Sequence, residues 1–256
     1  MTGLEGRIAL VTGCGSDGGI GFAIARALAV AGARVAITAT TARVHDRCRE
    51  LGAAFAGIAD LTDAGQVARL FGEVHAALGP VEVLVNNAGM VQTGRSIRRS
   101  GVEGLTDAGF AAHLAMNVGT TFHCIRQALP AMQQSRWGRI VNISSITGPI
   151  TAISGSSGYA TAKAAVTGLT RATALENAQH GITCNAILPG WITTASSSPK
   201  EIRAGKASPS RRSGTPDEVA ACALFLASSG ASYVNGAMLV VDGANSLIEI
   251  KGAGAF

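Results

Sequence analysis

Lysine and the aromatic residues are scarce: 256 positions hold four lysines, two tyrosines and two tryptophans. Charge is sparse at 14%, and the net +5 owes mostly to arginine. The basic residues are scattered. Arg98–Arg99 and Arg211–Arg212 are the only adjacent pairs, and neither lies in a basic run interleaved with aromatics. A nucleic-acid surface is therefore excluded as an expectation. Cysteine is limited to five widely spaced residues, Cys14, Cys48, Cys124, Cys184 and Cys222, with no CxxC pair. An odd, dispersed set argues against a disulfide framework and for reduced, buried thiols in the cytoplasm. No basic flank followed by a long apolar run opens the chain, so no signal peptide is expected. Residues 219–241 carry no charge, but Ser228, Ser229, Gly230, Ser232, Asn235 and Gly236 interrupt them. That stretch reads as a helix, a turn and a strand, not a membrane span.

Apolar residues are plentiful at 47%, with 33 glycines. This is the composition of one compact α/β domain over residues 1–256. Short β-branched runs alternate with helical periods. Strands are expected at Arg7–Thr12, Arg34–Ala39, a third ending at Asp60–Leu61, then Val81–Val85, Arg139–Ser144, Ile182–Leu188 and Met238–Val241. Helices are expected at Gly19–Ala31, Gln66–Leu78 and Thr161–Gln179. Along the second of these, Val67, Leu70, Phe71, Val74 and Leu78 form one stripe. Apolar strands alternating with helices imply a doubly wound Rossmann-type fold, a seven-stranded parallel sheet with helices on both faces. Gln92–Thr106 and Thr193–Ser213, rich in Ser, Gly and Arg, read as long functional loops.

The turn Thr12-Gly-Cys-Gly-Ser-Asp-Gly-Gly-Ile-Gly21 joins the first strand to the first helix. Glycines there let the backbone approach a pyrophosphate, and the helix N-terminus favours its charge. The context strand–turn–helix is what gives the motif weight. Gly13, Ser16, Gly19, Ile20 and Gly21 are the candidate contacts. A dinucleotide site ordinarily places an acid at the end of the second strand for the ribose 2′-hydroxyl. Here that place reads Thr38-Ala-Thr-Thr-Ala-Arg43, without an acid. Thr40, Thr41 and Arg43 suit a 2′-phosphate, so NADP(H) is favoured over NAD(H), although a neutral strand end also admits NAD(H). Asp60 and Leu61 are placed to meet the adenine edge.

Tyr159 and Lys163 stand one helical turn apart, where i and i+4 side chains share a face. A free phenol has a pKa near ~10, and a neighbouring cation favours the phenolate. Such a phenol can exchange a proton with a substrate oxygen. Ser144 and Ser145, just upstream, can hydrogen-bond the same oxygen. The pair alone is short enough to arise by chance, and the glycine turn supplies its context.

These pieces, with Asn86-Asn-Ala-Gly89, Asn117, Ile143-Ser-Ser145, Pro189–Gly190, Ile192, Thr194 and Val241-Asp-Gly243, resemble the short-chain dehydrogenase/reductase family over almost the whole chain. Within the family the chain looks most similar to the bacterial 3-oxoacyl-carrier-protein reductase branch. The resemblance implies Tyr159 as acid/base and Lys163 on the nicotinamide ribose. It implies Ser145 as the group polarising the substrate carbonyl and Asn117 as support for the active-site helix and a proton-relay water. Asn87, Ala88 and Gly89 would line the adenosine side, and Pro189, Gly190, Ile192 and Thr194 the nicotinamide carboxamide. A small carbonyl or alcohol substrate and a homotetramer are likewise implied, with no metal and no membrane.

The chain departs from the family pattern in four places. Its glycine turn is two residues longer, bringing Ser16 and Asp17 to the phosphate site. The gap from Ser145 to Tyr159 is one residue longer, and the loop after Gly89 is also longer. His180 stands where carrier reductases often have arginine, whereas Arg136 matches a second carrier-facing arginine. The acyl carrier protein thus stays open as a partner. A non-catalytic, cofactor-sensing protein on this fold is the alternative function, and a serine hydrolase at Ser154-Gly-Ser-Ser-Gly158 lacks the Gly-x-Ser-x-Gly elbow. His113, His123 and Cys124 read as packing residues, and His45, His75 and His180 as solvent-facing.

Overall fold

A computed structural model describes residues 2–89 and 100–248. Seven parallel strands form one sheet in the order β3-β2-β1-β4-β5-β6-β7. They are β1 (Ile8–Thr12), β2 (Arg34–Ala39), β3 (Phe55–Ile58), β4 (Val83–Asn86), β5 (Gly138–Ile143), β6 (Ile182–Pro189) and β7 (Met238–Val241). The strands are continuous apolar runs because both faces are covered. In β1, Ala9 and Val11 enter one core with Ile24 and Leu28, while Ile8 and Leu10 enter the other with Val67, Leu70 and Val74.

The helices are α1 (Ile20–Val30), α2 (Arg43–Leu51), α3 (Ala64–Leu78), α4 (Asp107–Leu114), α5 (Thr120–Ser135), α6 (Ser157–Asn177), α7 (Pro199–Lys206) and α8 (Pro216–Ala227). A π-helical turn, Ala115–Gly119, joins α4 to α5. Strand β1 pairs with β2 on one side and β4 on the other. The chain reverses direction across the sheet at that point, which opens a crevice at the strands' carboxyl ends. Thr12, Ala39, Asn86, Ile143 and Pro189 all end strands there.

The sheet and its helices agree with the sequence reading, and the differences are local. The third strand ends at Ile58, so Asp60 and Leu61 lie beyond it. Asp60 Oδ1 accepts from Thr62 N at 3.0 Å and Thr62 Oγ1 at 2.7 Å, an Asx turn that stops the strand. Helix α6 starts at Ser157, four residues before Thr161, which puts Tyr159 in its first turn. Gly158 is accepted there because a Cβ at that position would meet the buried His113 ring at 2.4 Å. Helix α7 interrupts the expected loop 193–213, and its Ser198–Glu201 capping box was the sequence signal for it. Helix α2 lacked an apolar stripe, with only Val44 buried, and is laced instead by Arg47–Glu50 and Arg49–Asp46 pairs. His180 is half-buried, as are Cys48 and Cys222, in contrast to the expectation for each; His45 and His75 are exposed. Arg98–Arg99 and most of Gln92–Thr106 lie outside the described residues.

Candidate active site

The glycine turn is clamped by the end of β4. Thr12 Oγ1 accepts from the backbone N–H groups of Asn87 and Ala88, both at 3.0 Å. Asn87 Nδ2 donates back to the Thr12 and Gly13 carbonyls at 3.0 and 3.2 Å. A Cβ on Gly21 would lie 2.5 Å from that same Nδ2 and 2.8 Å from the Gly13 carbonyl, so only glycine lets α1 start this close. Gly13 has φ +75° and a similar constraint, 2.7 Å from Asn87 Nδ2. Gly19 is the N-cap of α1 and offers no side-chain acceptor to the first helical N–H groups. Uncapped N–H groups at a helix start, beside a backbone that no Cβ obstructs, fit a dinucleotide pyrophosphate.

Around this cradle lie the other expected contacts. Thr40 is exposed, Thr41 half-buried, and Arg43 Nε donates to Thr41 Oγ1 at 3.4 Å. Leu61 is buried, and its carbonyl meets His123 Nδ1 at 3.0 Å. His123 thus anchors the segment after β3, a contact that spacing could not reveal. Pro189 ends β6, and Gly190 N–H donates to the Val241 carbonyl at 2.9 Å. Ile192 bridges to Gly214, and Thr194 N–H donates to Ser197 Oγ at 2.9 Å. A Cβ on Gly18 would stand 3.5 Å from that of Ala195, so the segment after Thr194 reaches back to the glycine turn.

The second half of the site sits on α6. Lys163 is 4% exposed, and its Nζ donates to the Ile143 carbonyl at 3.0 Å. The ammonium stands 5.8 Å from the centre of the half-buried Tyr159 ring. Burial pulls the Lys163 pKa down to about 8. Ser144 and Ser145 are told apart by their partners. Ser144 is buried, and its hydroxyl donates to the Lys163 carbonyl at 2.8 Å, tying β5 to α6. Ser145 is half-buried; its Oγ accepts from Thr147 N–H at 3.0 Å and keeps a hydroxyl proton to donate. Between these serines and α6, Thr147 and Thr151 bridge.

Asn117 lies buried in the π-turn, a local widening often found at functional sites. Its Nδ2 donates to the His113 carbonyl at 3.0 Å, and its own carbonyl accepts from the Thr120 and Thr121 hydroxyls at 3.2 and 2.8 Å. Its Oδ1 is buried with no hydrogen-bond partner among the described residues. A Cβ on Gly89 would come within 2.9 Å of that oxygen. The strand end at Asn87–Gly89 and the π-turn therefore close on each other. Among the described residues no group of three His, Cys, Asp or Glu could hold a metal ion, and no described helix is long and apolar enough to cross a membrane. Arg47 of α2 is a residue that the sequence reading missed: its guanidinium lies 3.4 Å from the Asp17 carboxylate of the glycine turn.

A family model described as enoyl-(acyl carrier protein) reductase matches residues 13–244. A D-beta-hydroxybutyrate dehydrogenase of Cupriavidus necator is 36% identical over 262 residues, covering 94% of this chain and 98% of that protein. A galactitol 2-dehydrogenase (L-tagatose-forming) of Cereibacter sphaeroides is 40% identical over 250 residues, covering 94% and 95%. A 3-oxoacyl-[acyl-carrier-protein] reductase of Mycobacterium avium is 37% identical over 241 residues, covering 93% and 89%. Among solved structures, a putative gluconate dehydrogenase from Agrobacterium tumefaciens superposes with a TM-score of 0.87 at 34% identity, over 96% of this chain and 98% of that one.

Proposed function

We propose that this chain, which belongs to the short-chain dehydrogenase/reductase family, interconverts a ketone and a secondary alcohol with NADP(H), using Tyr159 as the proton donor and acceptor. It is an NAD(P)-dependent oxidoreductase of a family that acts on alcohols and ketones. The observation that carries the proposal is the buried Lys163 ammonium, held on the Ile143 carbonyl one helical turn from the half-buried Tyr159. A cation kept out of water has no use for packing alone, because burial disfavours its charge. Beside a phenol it favours the phenolate.

The bound nicotinamide supplies or takes up the hydride. In the reductive direction the Tyr159 hydroxyl gives its proton to the carbonyl oxygen as the new C–H bond forms, and Lys163 stabilises the phenolate left behind. Ser145 donates its free hydroxyl proton to the same oxygen and orients it. The buried Asn117 Oδ1 offers an acceptor to the proton path that returns Tyr159 to its starting state. Asn87, Ala88, Gly89 and the glycine turn hold the adenosine and pyrophosphate, while Pro189, Gly190, Ile192 and Thr194 line the carboxamide side. The whole chain acts as one domain, in the cytoplasm, where its five free cysteines stay reduced.

Mixing the protein with NADPH and a panel of ketones tests the activity. Oxidation of NADPH supports it; tight nucleotide binding without oxidation of NADPH by any ketone favours a cofactor sensor. The preference for NADP(H) rests on Thr40, Thr41 and Arg43 at the acid-free end of β2. Arg43→Ala should weaken NADPH about threefold to tenfold and leave NADH within about twofold. Equal losses for both nucleotides, read by titration, would remove Arg43 from the 2′-phosphate site. A homotetramer built on residues 107–134 and 160–180 is part of the proposal. Phe110, Phe122 and Leu175, 39%, 43% and 83% exposed, supply apolar surface on those helices. Light scattering should return four times the 25.8 kDa chain mass, and a monomer would reject it.

A further inference from the structure

The longer glycine turn brings the Asp17 carboxylate against α2. Asp17 is 70% exposed, and its Oδ1 accepts from Gly18 N–H at 2.8 Å. Its other oxygen meets Arg47 at 3.4 Å. Arg47 is held from three sides: by Asp17, by Glu50 one turn on, and by the Phe22 ring 5.9 Å below it. Its side chain is only 16% exposed, and its Nε is buried with no hydrogen-bond partner among the described residues. Arg43 and Arg47 lie four residues apart on α2, so both belong to the helix face that borders the turn. A Cβ built on Gly15 would lie 3.3 Å from Ala39 Cβ, which brings the turn against the end of β2. The crevice between turn and strand end is where the 2′ position of a dinucleotide falls.

We propose that Asp17 and Arg47 act as an opposed pair that sets the discrimination between a 2′-phosphate and a 2′-hydroxyl, Arg47 attracting the phosphate and Asp17 restraining that attraction. The inference rests on the dinucleotide reading of this site. A guanidinium presents a planar fork of donors suited to phosphate, and its Asp17-facing nitrogen is the one at the turn. Asp17 works as the repulsive element: its charge disfavours a second anion and, together with Glu50, offsets the charge of Arg47. Its exposure lets it turn to water once a phosphate takes its place, whereas Arg47, stacked on Phe22, stays. A 2′-hydroxyl carries no charge and can donate to a carboxylate, so Asp17 restrains the phosphate and not the hydroxyl.

Asp17→Asn should tighten NADPH about threefold to tenfold while NADH is not tightened. Arg47→Gln should weaken NADPH selectively, and in the double variant the gain from Asp17→Asn should be lost, the signature of a coupled pair. A merely structural pair would change both nucleotides alike. The result that overturns the inference is an NADPH-to-NADH affinity ratio unmoved by Asp17→Asn. Should Arg47→Gln fail to fold, Asp17→Asn decides alone, because its carboxylate is mostly in solvent. Wild-type protein that binds neither NADPH nor NADH would instead reject the dinucleotide reading, and this inference with it.

Discussion

Tyr159→Phe is expected to lower kcat by about 10²–10⁴-fold, the range lost when a positioned acid or base is removed. The change deletes one oxygen and leaves the ring. The ring remains 5.8 Å from the Lys163 ammonium and keeps its place in the first turn of α6. Neither the glycine turn nor its clamp on Asn87 is touched, so the nucleotide dissociation constant should stay within about twofold. Loss of turnover with retained binding identifies an interaction made in the transition state. Steady-state rates paired with NADPH titration read both quantities, and an active variant would end the acid/base assignment.

Lys163→Met should be as damaging to turnover, by about 10²–10³-fold, because it removes the preorganised charge that stabilises the phenolate. It should also weaken the nucleotide, since the ammonium is proposed to hold the nicotinamide ribose. Stability is expected to move the other way with pH. Burial holds the folded-state pKa of Lys163 at about 8, against an ordinary 10.5. Between those values the unfolded chain binds the proton that the folded chain does not, so this group makes stability rise with pH across that window. Below about pH 8 the folded state carries the full cost of the buried charge, of order 3 kcal/mol. Methionine removes that cost and leaves the Ile143 carbonyl without its donor, a loss of about 1–3 kcal/mol. The variant should therefore melt no lower than wild type at pH 7 and lower than wild type at pH 10. Thermal melts at the two pH values test this, and a parallel offset at both would show that Lys163 is not a titrating, buried cation.

Much of the fold was legible in the sequence because its strands are uniformly apolar and its glycine turn sits between a strand and a helix. The period of Val67, Leu70, Phe71 and Val74 gave α3 directly. Helix α2 was not legible, because it is held by ion pairs and buries only Val44. The end of β3 was misplaced by two to three residues through the Asx turn at Asp60, and α6 starts early because Gly158 packs on a residue 45 positions away, His113.

In the candidate site, Tyr159, Lys163 and the glycines could be found from local spacing. The choice between Ser144 and Ser145 could not, since it depends on which hydroxyl the Lys163 carbonyl accepts. Arg47 was likewise hidden: 30 residues separate it from Asp17, and only the packing of α2 beside the turn brings the charges together. The unpartnered Asn117 Oδ1 is a property of the π-turn, which a helical period does not announce.

The claim that Tyr159 exchanges the proton is tested most directly by the pH dependence of kcat/KM for alcohol oxidation, measured on wild type and Tyr159→Phe. The wild-type rate is expected to climb with pH through one ionisation as the phenolate forms. This climb is expected to be absent from the residual rate of the variant. The same pH-dependent rise in Tyr159→Phe would contradict it.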